Sequence, residues 1–187
     1  WNVSICGGDI SSLKKDATVC TLTIGGEVEK DKLCLRSNAK PGDILYATGE
    51  YGNSFKSGHH LKFVPRIEAA RFIAGKYSRC MMDVSDGLLA DAERICGASK
   101  VSLELDKGAI PLRKGAGLRS ALSEGEDYEL IFAVPPAKSA GLEKAWPFRK
   151  IRLSRIGRFV PGPKARISGK DGRQLQEKRM GYEHFKT

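Results

Sequence analysis

The sequence has no apolar run that approaches the ~20 residues needed to cross a bilayer. Its first residues, WNVSICGGD, lack the basic segment and the long apolar core of a signal peptide. It also lacks a Gly-x-x-x-x-Gly-Lys-Ser/Thr loop, a His-Arg-Asp kinase motif, a Ser-His-Asp arrangement and a cysteine nucleophile near a histidine. We therefore expect no membrane contact, none of the common nucleotide-binding designs and no covalent catalysis.

Cysteine and histidine are few, and their spacing does not indicate a metal centre. The five cysteines form no Cys-x-x-Cys pair, and the three histidines have no ligand-like spacing. A zinc site or a disulfide framework is therefore not expected. We expect buried, reduced thiols in a cytoplasmic protein.

The 187 residues suffice for one domain or for a domain with part of another, and 41% of them are apolar. The net charge of +10 comes from one region, because residues 138–187 hold 14 Lys and Arg against 4 Asp and Glu. Such a region can bind nucleic acid, but few aromatic residues are interleaved with the charges. We favour the interpretation that these charges partly form an ordinary solvated surface and partly attract anionic substrates electrostatically. Nucleic acid is therefore a less favoured partner.

The chain is organised around the stretch CMMDVSDGLLAD, residues 80–91. A short apolar strand ends at Asp83, a turn follows at Asp86-Gly87, and a helical pattern begins at once. Carboxylates at a strand end can hold Mg²⁺, and the free N–H groups of a helix start can meet phosphate oxygens. Taken alone, the stretch is at least as well explained as a helix capped by Ser85 or Asp86.

Two other acidic turns adjoin predicted strands. Gly8-Asp9 follows the apolar residues 3–6, and Glu126-Asp127 precedes a strong strand over 130–134. Alternation of apolar residues also predicts a strand over 18–28. Three acidic turns suit a site that holds several Mg²⁺ ions between carboxylates and polyphosphate. The alternation of strands and helices indicates an α+β (mixed α/β) fold.

Four segments, in this order, resemble the thiamine-monophosphate kinase family: GGD at 7–9, RSNAKPGDILYATG at 36–49, DVSDGLLAD at 83–91 and EGEDYELIF at 124–132. The family belongs to the superfamily of aminoimidazole ribonucleotide synthetase. The resemblance implies that residues 1–40 are a remnant of an N-terminal ATP- and Mg²⁺-binding domain and that residues 41–187 form the C-terminal α+β domain. We expect the chain to be a truncated form of a protein that is a homodimer at full length. The resemblance leaves the activity of the fragment itself open.

The resemblance implies ATP-dependent phosphorylation of thiamine monophosphate to thiamine diphosphate, with Mg²⁺ as cofactor and no side-chain nucleophile. It implies ATP contacts at Gly8, Asp9, Arg36 and Ser85, magnesium ligands at Asp9, Asp83 and Asp86, and contacts to the thiamine end of the substrate at Glu126 and Tyr182. Ile10 departs from the family, which often has Thr there.

Two alternatives stay open. One is another ATP-dependent enzyme of the superfamily, such as a purine-biosynthesis synthetase or a hydrogenase-maturation protein, although EGEDYEL argues against it. The other is a basic nucleic-acid-binding module, which would bind with a steep salt dependence.

Overall fold

A computed structural model describes residues 3–12, 14, 16, 18–162, 167–169 and 173. Its centre is a six-stranded mixed sheet with the strand order β2-β4-β1-β5-β3-β6. The strands are β1 (Ile44–Thr48), β2 (Cys80–Asp83), β3 (Ser102–Leu105), β4 (Leu130–Val134), β5 (Leu153–Val160) and β6 (Ile167–Gly169). All pairs are antiparallel except β3 with β6.

Strand β1 lies in the interior of the sheet, between β4 and β5. Its apolar residues alternate between the two faces, so Leu45 and Ala47 pack on one side and Tyr46 on the other. Both faces are covered, which explains why β1 and β4 read as nearly continuous apolar runs. Strand β2 forms one edge of the sheet and delivers Asp83 at its end.

Helices cover both faces. They are α1 (Ser54–Ser57), α2 (His59–Lys62), α3 (Ile67–Ile73), α4 (Leu88–Ser99), α5 (Leu118–Ser123) and α6 (Pro136–Ala145), with 3₁₀ turns at Arg36–Asn38 and Lys107–Ala109. The larger core lies between the sheet and helices α4 and α5. A second core, rich in aromatic side chains, lies between the other face and helices α3 and α6.

The mixed α/β fold class predicted from the sequence is confirmed. Helix α4 follows the helical pattern predicted after Gly87, since its apolar residues recur at helical spacing and are all buried: Leu88, Leu89, Ala92, Ile95 and Cys96. The helix passes Gly97 and ends at Ser99, where Lys100 adopts a left-handed conformation with φ of 58°.

The strands predicted over 3–6 and 18–28 are wrong. The structure assigns no strand to the described residues of either range, and their apolar side chains are exposed, with Ile5 at 95% and Leu22 at 95%. Alternation stabilises a strand only when a neighbouring strand takes up its backbone N–H and C=O groups. No described residue pairs with these two segments as a strand.

The expectation of buried thiols holds for part of the set. All five cysteines are free, Cys80 and Cys96 are buried, and burial raises the pKa of each thiol to about 12. Cys6 and Cys20 are exposed, because they belong to the segments that do not pack. Within the described ranges, no helix combines the length and the apolar character that a bilayer crossing requires.

Candidate functional site

The turn between β2 and α4, residues Asp83–Leu88, is shaped by a buried carboxylate. Asp91, on the first turn of α4, is fully buried and accepts hydrogen bonds from the backbone N–H groups of Ser85 and Asp86, each at 3.0 Å. Gly87 takes a φ of 125°, which side chains rarely adopt. Asp91 therefore holds the backbone of the turn in place, while the Asp83 side chain is exposed and that of Asp86 is half-buried.

Arg94 joins two carboxylates of this turn. Its guanidinium forms ion pairs with both Asp86 and Asp91. Burial raises the pKa of Asp91, although the backbone N–H of Asp86 and the charge of Arg94 act in the opposite direction. Arg94 thus supplies the counter-charge that the buried Asp91 needs.

The segment EGEDYEL, residues 124–130, is bonded along its backbone to the same turn. Val84 N–H donates to the Glu129 carbonyl at 2.8 Å, Tyr128 N–H to Val84 at 2.8 Å, and Glu126 N–H to Ser85 at 2.7 Å. A side chain at Gly125 would not fit, because its Cβ would lie 2.4 Å from the Ser85 carbonyl oxygen. The two segments singled out from the sequence are therefore one structural unit.

Two residues of EGEDYEL have unusual backbone conformations. Glu126 has a φ of 63° and Tyr128 a φ of 51°, values that non-glycine residues adopt rarely. Such strain persists only where the surroundings hold it, and it is common at binding sites. The pKa of Tyr128 is raised by burial and, secondarily, by the charges of Glu126, Asp83 and Asp86. The four side chains therefore share one negatively charged neighbourhood.

The buried carboxylate of Glu129 links this segment to Thr48 and Arg66. Glu129 is 2% exposed and accepts hydrogen bonds from Thr48 Oγ1 at 2.7 Å and from Arg66 Nε at 2.8 Å. Thr48 Oγ1 in turn accepts from the backbone N–H of Leu130 at 2.9 Å. The carboxylate lies directly against Gly49, where an added Cβ would be 2.0 Å from Glu129 Oε1.

Asp127 makes a second buried contact. It is fully buried and accepts hydrogen bonds from Gly52 N–H at 3.1 Å and from Arg113 Nη1 at 2.7 Å. Burial raises the pKa of Asp127 to about 6, although the bond from Arg113 acts in the opposite direction. Asp127 belongs to one of the three predicted acidic turns. Its carboxylate is buried in hydrogen bonds within the fold and stabilises the structure.

The carboxylates at the turn suit a hard cation only in part. Asp83 is exposed, and the described residues supply no ion pair for it, whereas Asp86 is paired with Arg94. Carboxylate oxygens of this kind fit Mg²⁺, which binds through one or two carboxylates together with water and phosphate oxygens. Among the described residues, no three His, Cys, Asp or Glu side chains form a group that could hold a metal.

The structure brings together four of the residues that the resemblance implied: Asp83, Ser85, Asp86 and Glu126. It does not bring Gly8 and Asp9 to them. Both lie in an exposed segment without regular structure, and the Asp9 carboxylate accepts a hydrogen bond from Ser11 Oγ at 2.7 Å.

Arg36 lies away from the carboxylates as well. Its carbonyl accepts a hydrogen bond from Ser99 Oγ at 2.6 Å, at the last residue of α4. Asp86 lies just before the first residue of that helix, whose 12 residues span about 18 Å. The backbone of Arg36 is therefore at the opposite end of α4 from Asp86. Tyr182 falls outside the described residues.

Sequence reasoning missed the residues that hold the site: Asp91 as an acceptor for the turn, its partner Arg94, and the pair of Glu129 with Arg66. For Asp91 and Arg94 a signal existed, since their spacing of three on a helix places them side by side. Glu129 and Arg66 are 63 positions apart, and nothing in the sequence links them.

The sequence profile of the AIR synthase related protein, C-terminal domain, matches residues 40–170. The chain belongs to this family. A thiamine-monophosphate kinase of Rhodopirellula baltica is 34% identical over 172 residues, which cover 86% of this chain and 52% of the relative. The resemblance to thiamine-monophosphate kinases, over their C-terminal portion, is confirmed.

Solved structures of similar proteins agree with the fold. The thiamine-monophosphate kinase of Stenotrophomonas maltophilia is 25% identical, with a TM-score of 0.68 over 78% of this chain and 55% of the other. The complex of AaThiL with AMPPCP and TMP is 28% identical, with a TM-score of 0.62 over 80% of this chain and 53% of the other. The chain thus spans about half the length of these relatives.

Proposed function

We propose that this chain forms part of a kinase that phosphorylates thiamine monophosphate with ATP to give thiamine diphosphate. One observation carries the proposal. The DVSDG turn and the EGEDYEL segment are hydrogen-bonded into one unit. The proposal is further supported by relatives over most of the chain that are named thiamine-monophosphate kinases. AMPPCP is an analogue of ATP, and its presence with TMP in AaThiL supports the same pair of substrates.

The reaction needs little from side chains beyond alignment and charge. A phosphate oxygen of thiamine monophosphate attacks the γ-phosphorus of ATP, the bond to the bridging oxygen breaks, and ADP leaves. The acceptor oxygen is already anionic at neutral pH, so no strong general base is required. Catalysis by positioning and charge stabilisation is the usual pattern in phosphoryl transfer.

We assign the residues of the turn to the phosphate end of the substrates. Asp83 and Asp86 offer carboxylate oxygens for Mg²⁺, which when bound neutralises phosphate charge. The Ser85 hydroxyl, between them in the sequence, contacts ATP. Glu126 contacts the cationic thiazolium of the acceptor through its negative charge. Its half-buried position and its backbone hydrogen bond to Ser85, within the same unit as the turn, support this role.

The remaining roles are part of the same proposal. Residues 1–40 belong to an ATP- and Mg²⁺-binding domain and residues 41–187 to the second domain. Gly8, Asp9 and Arg36 reach ATP, Asp9 also binds Mg²⁺, and Tyr182 packs on the substrate. The full-length protein is a cytoplasmic homodimer. The arrangement of Asp9 and Arg36 in this structure requires that they move relative to the turn.

An acceptor panel tests the proposal. The full-length protein is incubated with γ-labelled ATP, Mg²⁺ and one acceptor: thiamine monophosphate, thiamine, or none. We expect label in thiamine diphosphate and in no other product. Transfer to thiamine alone, or equal ATP consumption with no acceptor present, would contradict the assigned reaction.

A further inference from the structure

A cavity lies at the opposite end of the sheet from the β2–α4 turn. Its volume is about 360 Å³, and its wall includes Cys80, the first residue of β2, and Ala133, which pairs with Cys80 across the sheet. Asp83, which leads into the turn, is the last residue of the same strand. Because a strand rises about 3.3 Å per residue, the two ends of β2 are about 10 Å apart. The cavity is therefore separate from the candidate site.

Three cations from three separate segments line the cavity. Lys40 precedes β1, Arg79 precedes β2, and Lys138 belongs to α6. All three residues are exposed, so their charges are accessible to a ligand. Helix α6 begins at Pro136, next to the wall residue Pro135, and the partial positive charge of a helix start adds to the same field.

Arg79 and Lys138 keep donors that a ligand can use. No described residue forms a hydrogen bond or an ion pair with the Arg79 side chain, although its backbone carbonyl accepts from Leu35 N–H at 2.8 Å. The ammonium of Lys138 donates to the Lys76 carbonyl at 2.6 Å, and two of its three N–H donors remain. The cavity thus offers cationic donors whose acceptors the described part of the chain does not supply.

One acid also lies in the wall, and the fold already uses it. Asp43 is 8% exposed, and its carboxylate accepts a hydrogen bond from the backbone N–H of Lys40 at 2.9 Å. Burial raises the pKa of Asp43, although that bond and the charge of Lys40 act in the opposite direction. Even with Asp43 ionised, the wall holds three positive charges against one negative charge.

We propose that this cavity binds a small phosphate monoester, with the phosphate at the basic side chains and a compact apolar group against the rest of the wall. A guanidinium matches phosphate geometry through paired N–H donors, and lysine adds point charges. A phosphate monoester carries a charge of about −1.5 to −2 at pH 7, which suits the excess of positive charge better than a monocarboxylate does.

The remaining wall fits the apolar part of such a ligand. Tyr77, Cys80 and Pro135 lie in it, and burial raises the pKa of the Cys80 thiol to about 12, so that thiol is neutral. Cavities for small ligands measure roughly 300–1,000 Å³, and this one lies at the small end of that range. The proposal does not depend on the proposed function, since the cavity shares no residue with the β2–α4 turn.

Phenyl phosphate tests the proposal, because it joins a phosphate to a single apolar ring. It is titrated by calorimetry into the 187-residue chain with EDTA present, so that no divalent cation bridges phosphate to the carboxylates of the turn. We expect binding that weakens as salt is added, since the cations are exposed. Affinity should fall about tenfold in Arg79→Gln and in Lys40→Gln, each of which removes one charged donor. Arg79→Lys keeps the charge and should recover part of the affinity.

Lys144→Gln is the matched control, because it removes an exposed lysine from the same helix as Lys138 but outside the cavity wall. It should leave the affinity for phenyl phosphate unchanged. Circular dichroism and the unfolding midpoint verify that each variant folds. Since Arg79 and Lys40 come from different segments, either variant alone tests the site if the other does not fold.

Two further compounds identify the group that is recognised. Phenol should show no measurable binding, and benzoate should bind more weakly than phenyl phosphate. Benzoate binding as tight as that of phenyl phosphate would overturn the assignment to phosphate. Absence of phenyl phosphate binding, or equal affinity in the unmodified chain and both folded glutamine variants, would overturn the site. A loss in Lys144→Gln as large as in Arg79→Gln would also overturn it, because net charge alone would then explain the binding.

Discussion

At the scale of single residues, the site depends on positions where no other side chain fits. Gly49 has a φ of 61°, and the Glu129 carboxylate occupies the space that a Cβ would need. A methyl group there must displace a buried, hydrogen-bonded carboxylate. The resulting loss combines backbone strain with a disturbed ion pair.

We expect Gly49→Ala to lower the free energy of unfolding by about 2–4 kcal/mol, as for other changes that strain the backbone and disturb buried charge. Gly141→Ala is the control, because Gly141 is exposed within α6 and a Cβ there meets nothing within 4 Å. That change should raise the free energy of unfolding by about 0.5–1 kcal/mol. Urea titrations of the three proteins give both values, and equal stabilities would contradict the packing described here.

Asp127 makes the free energy of unfolding depend on pH, and the sign of this dependence follows from its raised pKa. Its folded pKa of about 6 lies above the ordinary value of 3.8. The stabilising contribution of the protonated carboxyl is therefore fully present below pH 3.8 and is lost as the pH rises through 6. Since one pKa unit corresponds to about 1.4 kcal/mol, the change amounts to about 3 kcal/mol.

Asp127→Asn should remove this dependence. Unfolding free energies of the unmodified chain and the variant, measured at several pH values from 4 to 7, should differ by an amount that varies with pH. Loss of the pair with Arg113 shifts the whole difference by a constant, so only its slope is diagnostic. A difference that is the same at pH 4 and pH 7 would show that Asp127 titrates normally in the folded chain.

At the scale of elements, the β2–α4 turn is held in place by the buried carboxylate of Asp91. Asp91→Asn keeps the size of the side chain but weakens its bonds to the backbone of Ser85 and Asp86 and its pair with Arg94. We expect the full-length protein with this change to need a higher Mg²⁺ concentration for half-maximal rate and to lose about tenfold in kcat. The reason is that removing a group which orients a metal ligand typically lowers metal affinity or activity about 10–100-fold.

Glu93→Gln is the control for this element, since Glu93 is an exposed acid on the same helix. Its Mg²⁺ dependence should match that of the unmodified enzyme. If Asp91→Asn lowers stability and leaves the Mg²⁺ dependence unchanged, Asp91 supports the fold alone and does not position Asp86.

The same elements show how far the sequence could predict the structure. Strand β4 and helix α4 follow from continuous and 3.6-residue apolar patterns, because each buries the face that the pattern marks. Residues 18–28 carry an equally clear alternation and form no strand, because alternation specifies a face and not a partner. The three acidic turns predicted that Asp83 and Glu126 contribute to one site, and the resemblance assigned their roles. The hydrogen bonds that join their segments could not be predicted, since they link residues more than 40 positions apart.

At the scale of the whole molecule, one sheet edge and two loops bring the residues of the candidate site together. Strand β2 ends at Asp83, and the segment before β4 supplies Glu126 and Tyr128 beside it. Strand β4 pairs with both β2 and β1, so it fixes this corner to the centre of the sheet. Asp9 and Arg36 lie apart from that corner.

The central claim is that the β2–α4 turn serves phosphoryl transfer and not only the fold. Thiamine diphosphate formation by the full-length protein is measured for Asp86→Asn and for Asp31→Asn, which changes an exposed acid outside the turn. We expect Asp86→Asn to lower kcat by about 10²–10³, the cost of removing one charge-stabilising group in comparable enzymes, with its unfolding midpoint nearly unchanged and Asp31→Asn fully active. Near-normal turnover by a folded Asp86→Asn protein would contradict the account.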